Sequence, residues 1–379
     1  MGMPDAVVIG GGIAGASVAY ELAADRAVVL VEAEPVAGRH STARSAATWV
    51  PGHGVADVRA LIAASGPRFA RLVDELGTPP LLLPRQVLFV AGDDEAERRL
   101  AEYLAEREGG PGAAERIDPA EAERLCPALA PGWLRAAAVV DAADVDTDAL
   151  HQGYLRGLRA RGGEVRVSAP AERIERTGSG WRVHLGGGAV LDTPLVVDAA
   201  GAWADVVARR AGVTEVGLVP HRRTIAVVRV PDPARLRGPA ERLPFVIEAA
   251  DRFYFKADGD DLMCSPVDES PAEPGDAKPD PLDVALALER VEEATRLGLR
   301  SVRTSWAGLR SFVADRRPVV GSWPDAPGFA FVAGQGGSGI ETSPALSAYA
   351  AAVLTGRQPA ADLPQDVALF APAEARFRM

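Results

Sequence analysis

Cysteine and histidine are scarce in this 379-residue chain: two of the first, Cys126 and Cys264, and five of the second. Two cysteines cannot build a disulfide framework, and without any CxxC or HxxxH pairing the chain offers no metal centre. A reducing, cytoplasmic setting is expected. Long apolar runs are missing too. None approaches the roughly 18 residues that a membrane span needs, so no transmembrane segment is expected. The first apolar strand begins within a few residues of Met1, so no export signal is expected. Basic residues are outnumbered, 41 Lys and Arg against 52 Asp and Glu, for a net charge of -11. That balance excludes a general affinity for nucleic acid or an anionic membrane surface. The 47% hydrophobic and 25% charged residues are ordinary for a globular chain, and the length suits two or three domains.

One segment is dense with information. Ala6 to Ile9 is an apolar strand running into Gly10-Gly-Gly12-Ile-Ala-Gly15, a GxGxxG spacing. A helical stretch from Ala14 to Ala24 follows, and then a second apolar strand, Val28 to Val31, ending on Glu32. Strand, glycine turn, helix, strand and acid in this order build a dinucleotide-binding crossover. Gly10 permits the tight turn, Gly12 lets backbone approach a pyrophosphate, and Gly15 lets the helix pack closely on the sheet. The pyrophosphate would lie at the helix start, beside Ile13 and Ala14, where free amides and the helix dipole favour negative charge. Glu32 can accept hydrogen bonds from ribose hydroxyls. The motif alone leaves both NAD and FAD open.

Further along, Asp57 to Leu76 has helical spacing interrupted near Gly66-Pro67, which predicts two short helices or one kinked helix. Asp144, Asp146 and Asp148 resemble calcium-loop spacing but lack its glycine and distal glutamate, so they predict a turn and a helix N-cap. Pro194 to Asp205 holds a second buried strand that ends in Ala-Gly201 before a helix, again bringing bare backbone toward a cofactor. From Val219 to Met263 the pattern turns β-rich. The tail returns to a strand, a glycine-rich loop and a helix. The expected division is a discontinuous nucleotide domain of residues 1-80, 141-218 and 305-379, and a substrate domain of residues 81-140 and 219-304.

His40-Ser-Thr-Ala-Arg-Ser-Ala-Ala47, Val197-Asp-Ala-Ala-Gly-Ala-Trp203 and Gly334-Gln-Gly-Gly-Ser-Gly-Ile-Glu-Thr-Ser343, together with the N-terminal fingerprint, resemble the D-amino-acid oxidase superfamily of FAD-dependent amine oxidoreductases. The resemblance covers essentially the whole chain. Within it, Asp144-Val-Asp-Thr-Asp-Ala-Leu-His-Gln-Gly-Tyr-Leu-Arg-Gly157 and Ser305-Trp-Ala-Gly-Leu-Arg-Ser-Phe-Val-Ala-Asp315 are similar to the D-arginine dehydrogenase branch. It implies an α/β chain, α+β overall. Its Rossmann-like FAD domain is of the glutathione-reductase type and carries a mixed, largely antiparallel substrate sheet. FAD is expected to be non-covalent, since neither cysteine falls where sarcosine-oxidase relatives attach theirs.

By the same resemblance Ser41, Thr42, Ser45, Ala46 and Ala47 lie along the flavin and ribityl chain, and Ala171 near the adenine. Gly336, Gly337, Ser338, Gly339 and Ile340 bring amides and a helix start to the pyrimidine edge of the ring. Donors there favour the charge that a reduced flavin develops. Arg222 and Arg310 align with a pair of arginines that clamp a substrate carboxylate, and Tyr254 with a tyrosine that assists them. Departures accompany these matches. In an ungapped register Val87 replaces the glutamate that binds a guanidinium side chain, Thr48 replaces a histidine, His53 a lid tyrosine and Glu341 a glutamine. The expected activity is therefore FAD-dependent oxidation of an amino acid C–N bond, with a neutral or apolar side chain favoured over arginine. Oxidation of a secondary amine or N-alkyl amino acid is the alternative within that chemistry, and a non-catalytic flavoprotein subunit is the alternative of another class. The expected partner is a small amino acid or amine, with oxygen or another electron acceptor open. Glu341 is read as an ammonium-binding or proton-accepting group, or as an acid stabilising its helix. Lys256 is read as a solvated strand lysine, with a positive charge that assists oxygen near flavin N5 as the alternative.

Overall fold

A computed structural model of the chain describes residues 2–240 and 242–377. Six strands form one sheet in the order Val319–Ser322, Phe329–Ala333, Val196–Asp198, Ala6–Ile9, Val28–Val31 and Glu164–Arg166. All neighbours are parallel except the first pair. The inner strands Ala6–Ile9, Val28–Val31 and Phe329–Ala333 are unbroken apolar runs, buried along their length, because both faces are covered. Helices Ile13–Leu22, Thr147–Ala160 and Gly339–Leu354 pack on one face and share one core. The other face meets a three-stranded antiparallel sheet, Ala171–Thr177, Gly180–Leu185 and Val190–Thr193, around Trp181 and Phe329.

The second layer is a ten-stranded mixed sheet. Its central run is Val219–Arg229, Asp261–Ser265, Tyr254–Asp258, Phe245–Glu248, Leu82–Ala91 and Ala136–Val145. Ser301–Phe312 pairs antiparallel along the whole of Val219–Arg229. Helix Pro281–Thr295 covers the outer face of this sheet through Ala287, Val291 and Ala294. The fold is thus an α/β nucleotide layer joined to a separate mixed-sheet layer.

One expectation changes here, one of two alternatives is selected, and one holds in part. The boundary drawn at residue 305 falls inside strand Ser301–Phe312, whose partners all belong to the large sheet, so the sheet assignment moves it beyond Phe312. Ala56–Leu76 is one helix with Pro67 inside it, held as a unit by its packing along Gly339–Leu354. Asp146 is the N-cap of helix Thr147–Ala160, but Asp144 lies within strand Ala136–Val145 and is buried. Among the described residues no helix is long and apolar enough to cross a membrane.

Candidate functional site

A cavity of about 1090 Å3 is lined from both layers. At its nucleotide end the glycine turn is locked by packing. A Cβ on Gly15 would stand 1.8 Å from the Gly10 carbonyl oxygen, so helix Ile13–Leu22 can lie this close to the strand only with glycine there. Gly15 itself stays behind the wall, while Gly10, Gly12, Ile13 and Ala14 line it. Glu32 accepts from the Gly11 amide at 2.6 Å and from the Glu34 amide at 2.8 Å, which fixes its carboxylate at the rim. Thr42 accepts from the Ile13 amide at 3.0 Å, so its hydroxyl caps the helix start that the sequence assigned to phosphate. His151 meets the Gly11 carbonyl at 2.8 Å from below, and burial holds its imidazole below the usual range. Ser41, Ser45, Ala46, Ala47, Ala171, Gly201, Gly336, Gly337, Ser338, Gly339 and Ile340 all face the same space.

The substrate end is built on the ribbon of Val219–Arg229 and Ser301–Phe312. Ser41 donates to the Leu309 carbonyl at 2.7 Å, and the Gly336 amide to the Ser311 carbonyl at 3.0 Å, so strand and glycine loops are tied together around Arg310. A Cβ on Gly337 would come within 2.7 Å of the Arg310 guanidinium, so this loop must be bare where it crosses the side chain. Arg310 faces the cavity and makes no hydrogen bond or ion pair among the described residues. Burial, reinforced by Arg223, pushes its guanidinium down to about 10, which still leaves it charged at neutral pH.

Arg222 does not join it. Side chains alternate faces along a strand, and the register sets His221 opposite Arg310 and Arg223 opposite Gly308. Arg223 therefore shares the face of Arg310 and lines the cavity, and Arg222 projects to the other face. There it donates to Asp283 at 2.7 Å and lies 3.6 Å from both Asp268 and Asp280. Arg222, expected to face the substrate, is thus outside the cavity; Arg223 lines it instead, with a guanidinium that donates to the Asp268 carbonyl at 2.7 Å and stands 3.6 Å from Glu269.

Tyr254 lines the cavity beside Phe245, with ring centroids 5.3 Å apart. Thr48, His53 and Glu341 line it as well. Glu341 is buried, accepts from the Val50 amide at 3.0 Å and pairs with His53 Nδ1, so both carboxylate oxygens are taken by the 50–53 loop. That loop is also held from outside, where Arg107 donates to the Gly52 carbonyl at 2.7 Å. Val87 is wholly buried and is not itself part of the lining, but it packs with Phe89, Phe245 and Tyr254, which are. Lys256 is not solvated. It donates to the Ala46 carbonyl at 2.6 Å and to Asp144 at 2.9 Å, and burial lowers its ammonium against the pull of Asp144. Arg85 completes the cluster, donating to Asp144 at 2.7 Å, and so braces the loop that carries Ala46.

The structure adds residues that the sequence did not single out: Arg223, Asp251, Phe312 and Arg316 also face the cavity. Six non-glycine residues have a left-handed backbone among the described residues, and four of them, Ala47, Asp251, Val267 and Arg316, line this space. Such strain persists where the surroundings over-determine it, which is common at functional sites.

The glycine turn, the rim carboxylate and a cavity reaching from Ala171 to Arg310 fit FAD in extended form, and Cys126 and Cys264 are buried away from it, as non-covalent binding requires. The model of the FAD dependent oxidoreductase (DAO) family matches residues 5–353. FAD-dependent oxidoreductase domain-containing protein 1 of Bos taurus is 25% identical over 93% of this chain and 81% of that protein. The crystal structure of L-proline dehydrogenase from P. horikoshii superposes with a TM-score of 0.83 at 20% identity, covering 98% of this chain and 97% of that one. Glycine oxidase from Geobacillus kaustophilus gives 0.81 at 21% identity, covering 98% of each chain. The chain belongs to the FAD-dependent D-amino-acid oxidase superfamily of oxidoreductases and holds FAD non-covalently.

Proposed function

We propose that the chain oxidises the C–N bond of an α-amino acid to an imine, which water hydrolyses to a 2-oxo acid and ammonia. The observation that carries this reading is Arg310, a cavity-facing guanidinium with no partner of its own. A planar guanidinium binds a carboxylate through two parallel hydrogen bonds and keeps its charge, so it can fix the α-carbon relative to the cofactor. FAD, when bound, supplies the acceptor for the hydride that leaves that carbon. Arg223 adds a second positive field on the same face, and Tyr254 offers a hydroxyl beside them. Glu341, anchored by Val50 and His53, sets the polarity near the glycine loop. A non-catalytic subunit has no use for an unpaired cation of this kind. The D-configuration is carried over from the resemblance of the two long runs alone.

Anaerobic mixing of the yellow holoprotein with D-amino acids, L-amino acids and N-alkyl amino acids tests the reading. Bleaching of the flavin by an α-amino acid is the expected result. Bleaching by N-alkyl amino acids alone would move the activity to secondary amines. No bleaching by any of them, with no carboxylate perturbing the flavin spectrum, would overturn it.

A further inference from the structure

Oxidation of an amino acid needs a group that takes a proton. At neutral pH the substrate arrives as an ammonium, and its nitrogen has no lone pair for a C=N bond until one proton has gone. Most carboxylates and imidazoles on the cavity wall are engaged elsewhere. Glu34 holds Arg39 and His40, Glu106 holds Arg59 and Arg107, Glu248 holds Arg252 and Glu269 holds Arg316. Glu32 is tied to two backbone amides, and Asp251 stands exposed on its turn with no group to orient it. The pair His53 and Glu341 remains.

These two divide the work of one base. The Glu341 side chain is only 4% exposed, and its oxygens are bound by the Val50 amide at 3.0 Å and by His53 Nδ1, so it has no atom to offer a substrate. A carboxylate against Nδ1 keeps that nitrogen as the N–H donor and leaves the ring's lone pair on Nε2. Nε2 has no partner among the described residues. The His53 side chain is 42% exposed and lines the cavity, so a proton taken there can pass to water before the next turnover. Arg107 donates to the Gly52 carbonyl at 2.7 Å and Arg59 to the Gly54 carbonyl at 2.9 Å, which fixes the loop on both sides of the imidazole.

The pair also lies close to Arg310. A Cβ on Gly337 would stand 2.7 Å from the Arg310 guanidinium, a Cβ on Gly54 would stand 4.0 Å from Ser338 Oγ, and Glu341 holds His53. Three contacts along residues 337–341 thus join Arg310 to the 50–54 loop, over a stretch of one helical turn, about 6 Å. An α-amino acid bears its nitrogen and its carboxylate on one carbon. A substrate whose carboxylate rests on Arg310 therefore keeps its nitrogen within a side chain's reach of that turn.

We propose that His53 is a catalytic residue, the base that takes a proton from the substrate ammonium, and that Glu341 is the positioning residue behind it. The inference rests on the oxidation proposed above. One N–H bond of the ammonium breaks and a bond from that hydrogen to Nε2 forms. The electron pair of the broken bond stays on nitrogen and becomes the second C–N bond as hydride leaves the α-carbon for the flavin. The positive charge gained by the imidazole faces the Glu341 carboxylate at hydrogen-bond distance. The other charged and titratable groups around His53 are Arg59 from helix Ala56–Leu76, Tyr103, Glu106 and Arg107 from helix Asp94–Arg107, Asp251, and Arg310 across the 337–341 stretch. Glu106 binds both Arg59 and Arg107, so Glu341 is the carboxylate in contact with the imidazole.

The test follows anaerobic bleaching of the holoprotein against pH, with whichever α-amino acid reduces the natural protein. His53→Asn keeps a donor for Glu341 but has no base, and His53→Ala leaves a space for imidazole. At neutral pH both should bleach about a hundredfold more slowly, with flavin content and the affinity for unreactive straight-chain carboxylates unchanged. The deficit should shrink toward about pH 10, where the amine loses its proton unaided. Added imidazole should speed His53→Ala in proportion to its concentration. Glu341→Gln should be about tenfold slower and gain nothing from imidazole, since His53 still fills the place. A merely structural part for His53 would lower carboxylate affinity or flavin content, with a deficit that neither high pH nor imidazole repairs. That outcome, or bleaching at the natural rate in His53→Asn, overturns the proposal and leaves Arg310 in its role. Failure of every amino acid to bleach the natural protein removes the oxidation itself and this inference with it.

Discussion

The two ends of the cavity use different parts of the chain. At the nucleotide end the wall is mostly backbone: Gly10, Gly12, Ile13 and the 336–339 loop present amides and bare Cα atoms. At the substrate end it is mostly side chains, with Arg310, Arg223, Tyr254 and Asp251 carried on strands and a hairpin turn. Backbone recognition needs only that glycines fall at fixed spacings, so it tolerates no side chain and little else. Side-chain recognition depends on strand parity, where a shift of one residue sends a guanidinium to the opposite face.

Gly15→Ala should break the nucleotide end outright. A Cβ placed 1.8 Å from a backbone oxygen cannot be absorbed by a rotamer change, so a loss of about 4 kcal/mol or more and protein purified without flavin colour are expected. Next in size is Arg310→Met. It should lower kcat/KM roughly a thousandfold, about 4 kcal/mol, while leaving the melting temperature unchanged or higher because a partly enclosed, unpaired cation is removed. Arg222→Met is the matched control: it should leave kcat/KM within about twofold and cost roughly 1 kcal/mol of stability from lost ion pairing with Asp283 and its neighbours, a fall of about 1–3 °C in melting temperature. Kinetic effects of the reverse size would return Arg222 to the site. Glu341→Gln should free the 50–53 loop and lower kcat/KM about tenfold with full flavin content, and an unchanged pH profile would discard proton acceptance by Glu341.

A stability effect without a direct part in turnover concerns Asp198, a wholly buried acid whose Oδ2 has no partner. Burial raises its carboxyl well above 3.8, so the folded chain holds a proton that the unfolded chain releases. Stability from this group therefore falls as pH rises from about 4 toward neutrality, by at most about 1.4 kcal/mol per pH unit. Asp198→Asn should flatten that slope in melting temperature against pH. An unaltered slope would mean that Asp198 does not hold the proton.

Legibility in the sequence follows the same divide. The crossover, its terminal Glu32 and the late glycine loop were readable because glycine spacing is a property of adjacent residues. Arg310 was readable from the run around it. Arg222 was preferred to Arg223 because two neighbouring arginines on a strand carry no mark of which faces inward, and only the pairing with Ser301–Phe312 decides. Lys256 and Asp144 were hidden likewise, because 112 residues separate the two halves of their contact.

The position of strand Phe329–Ala333, between Val319–Ser322 and Val196–Asp198, has a consequence for biosynthesis. Until the ribosome has delivered that stretch, the apolar edge of Val196 and Val197 lies open and the loop that crosses Arg310 does not yet exist. Coenzyme capture is thus a late event in the life of each nascent chain, and the early crossover must wait, exposed to chaperones, for some 300 residues of translation to catch up.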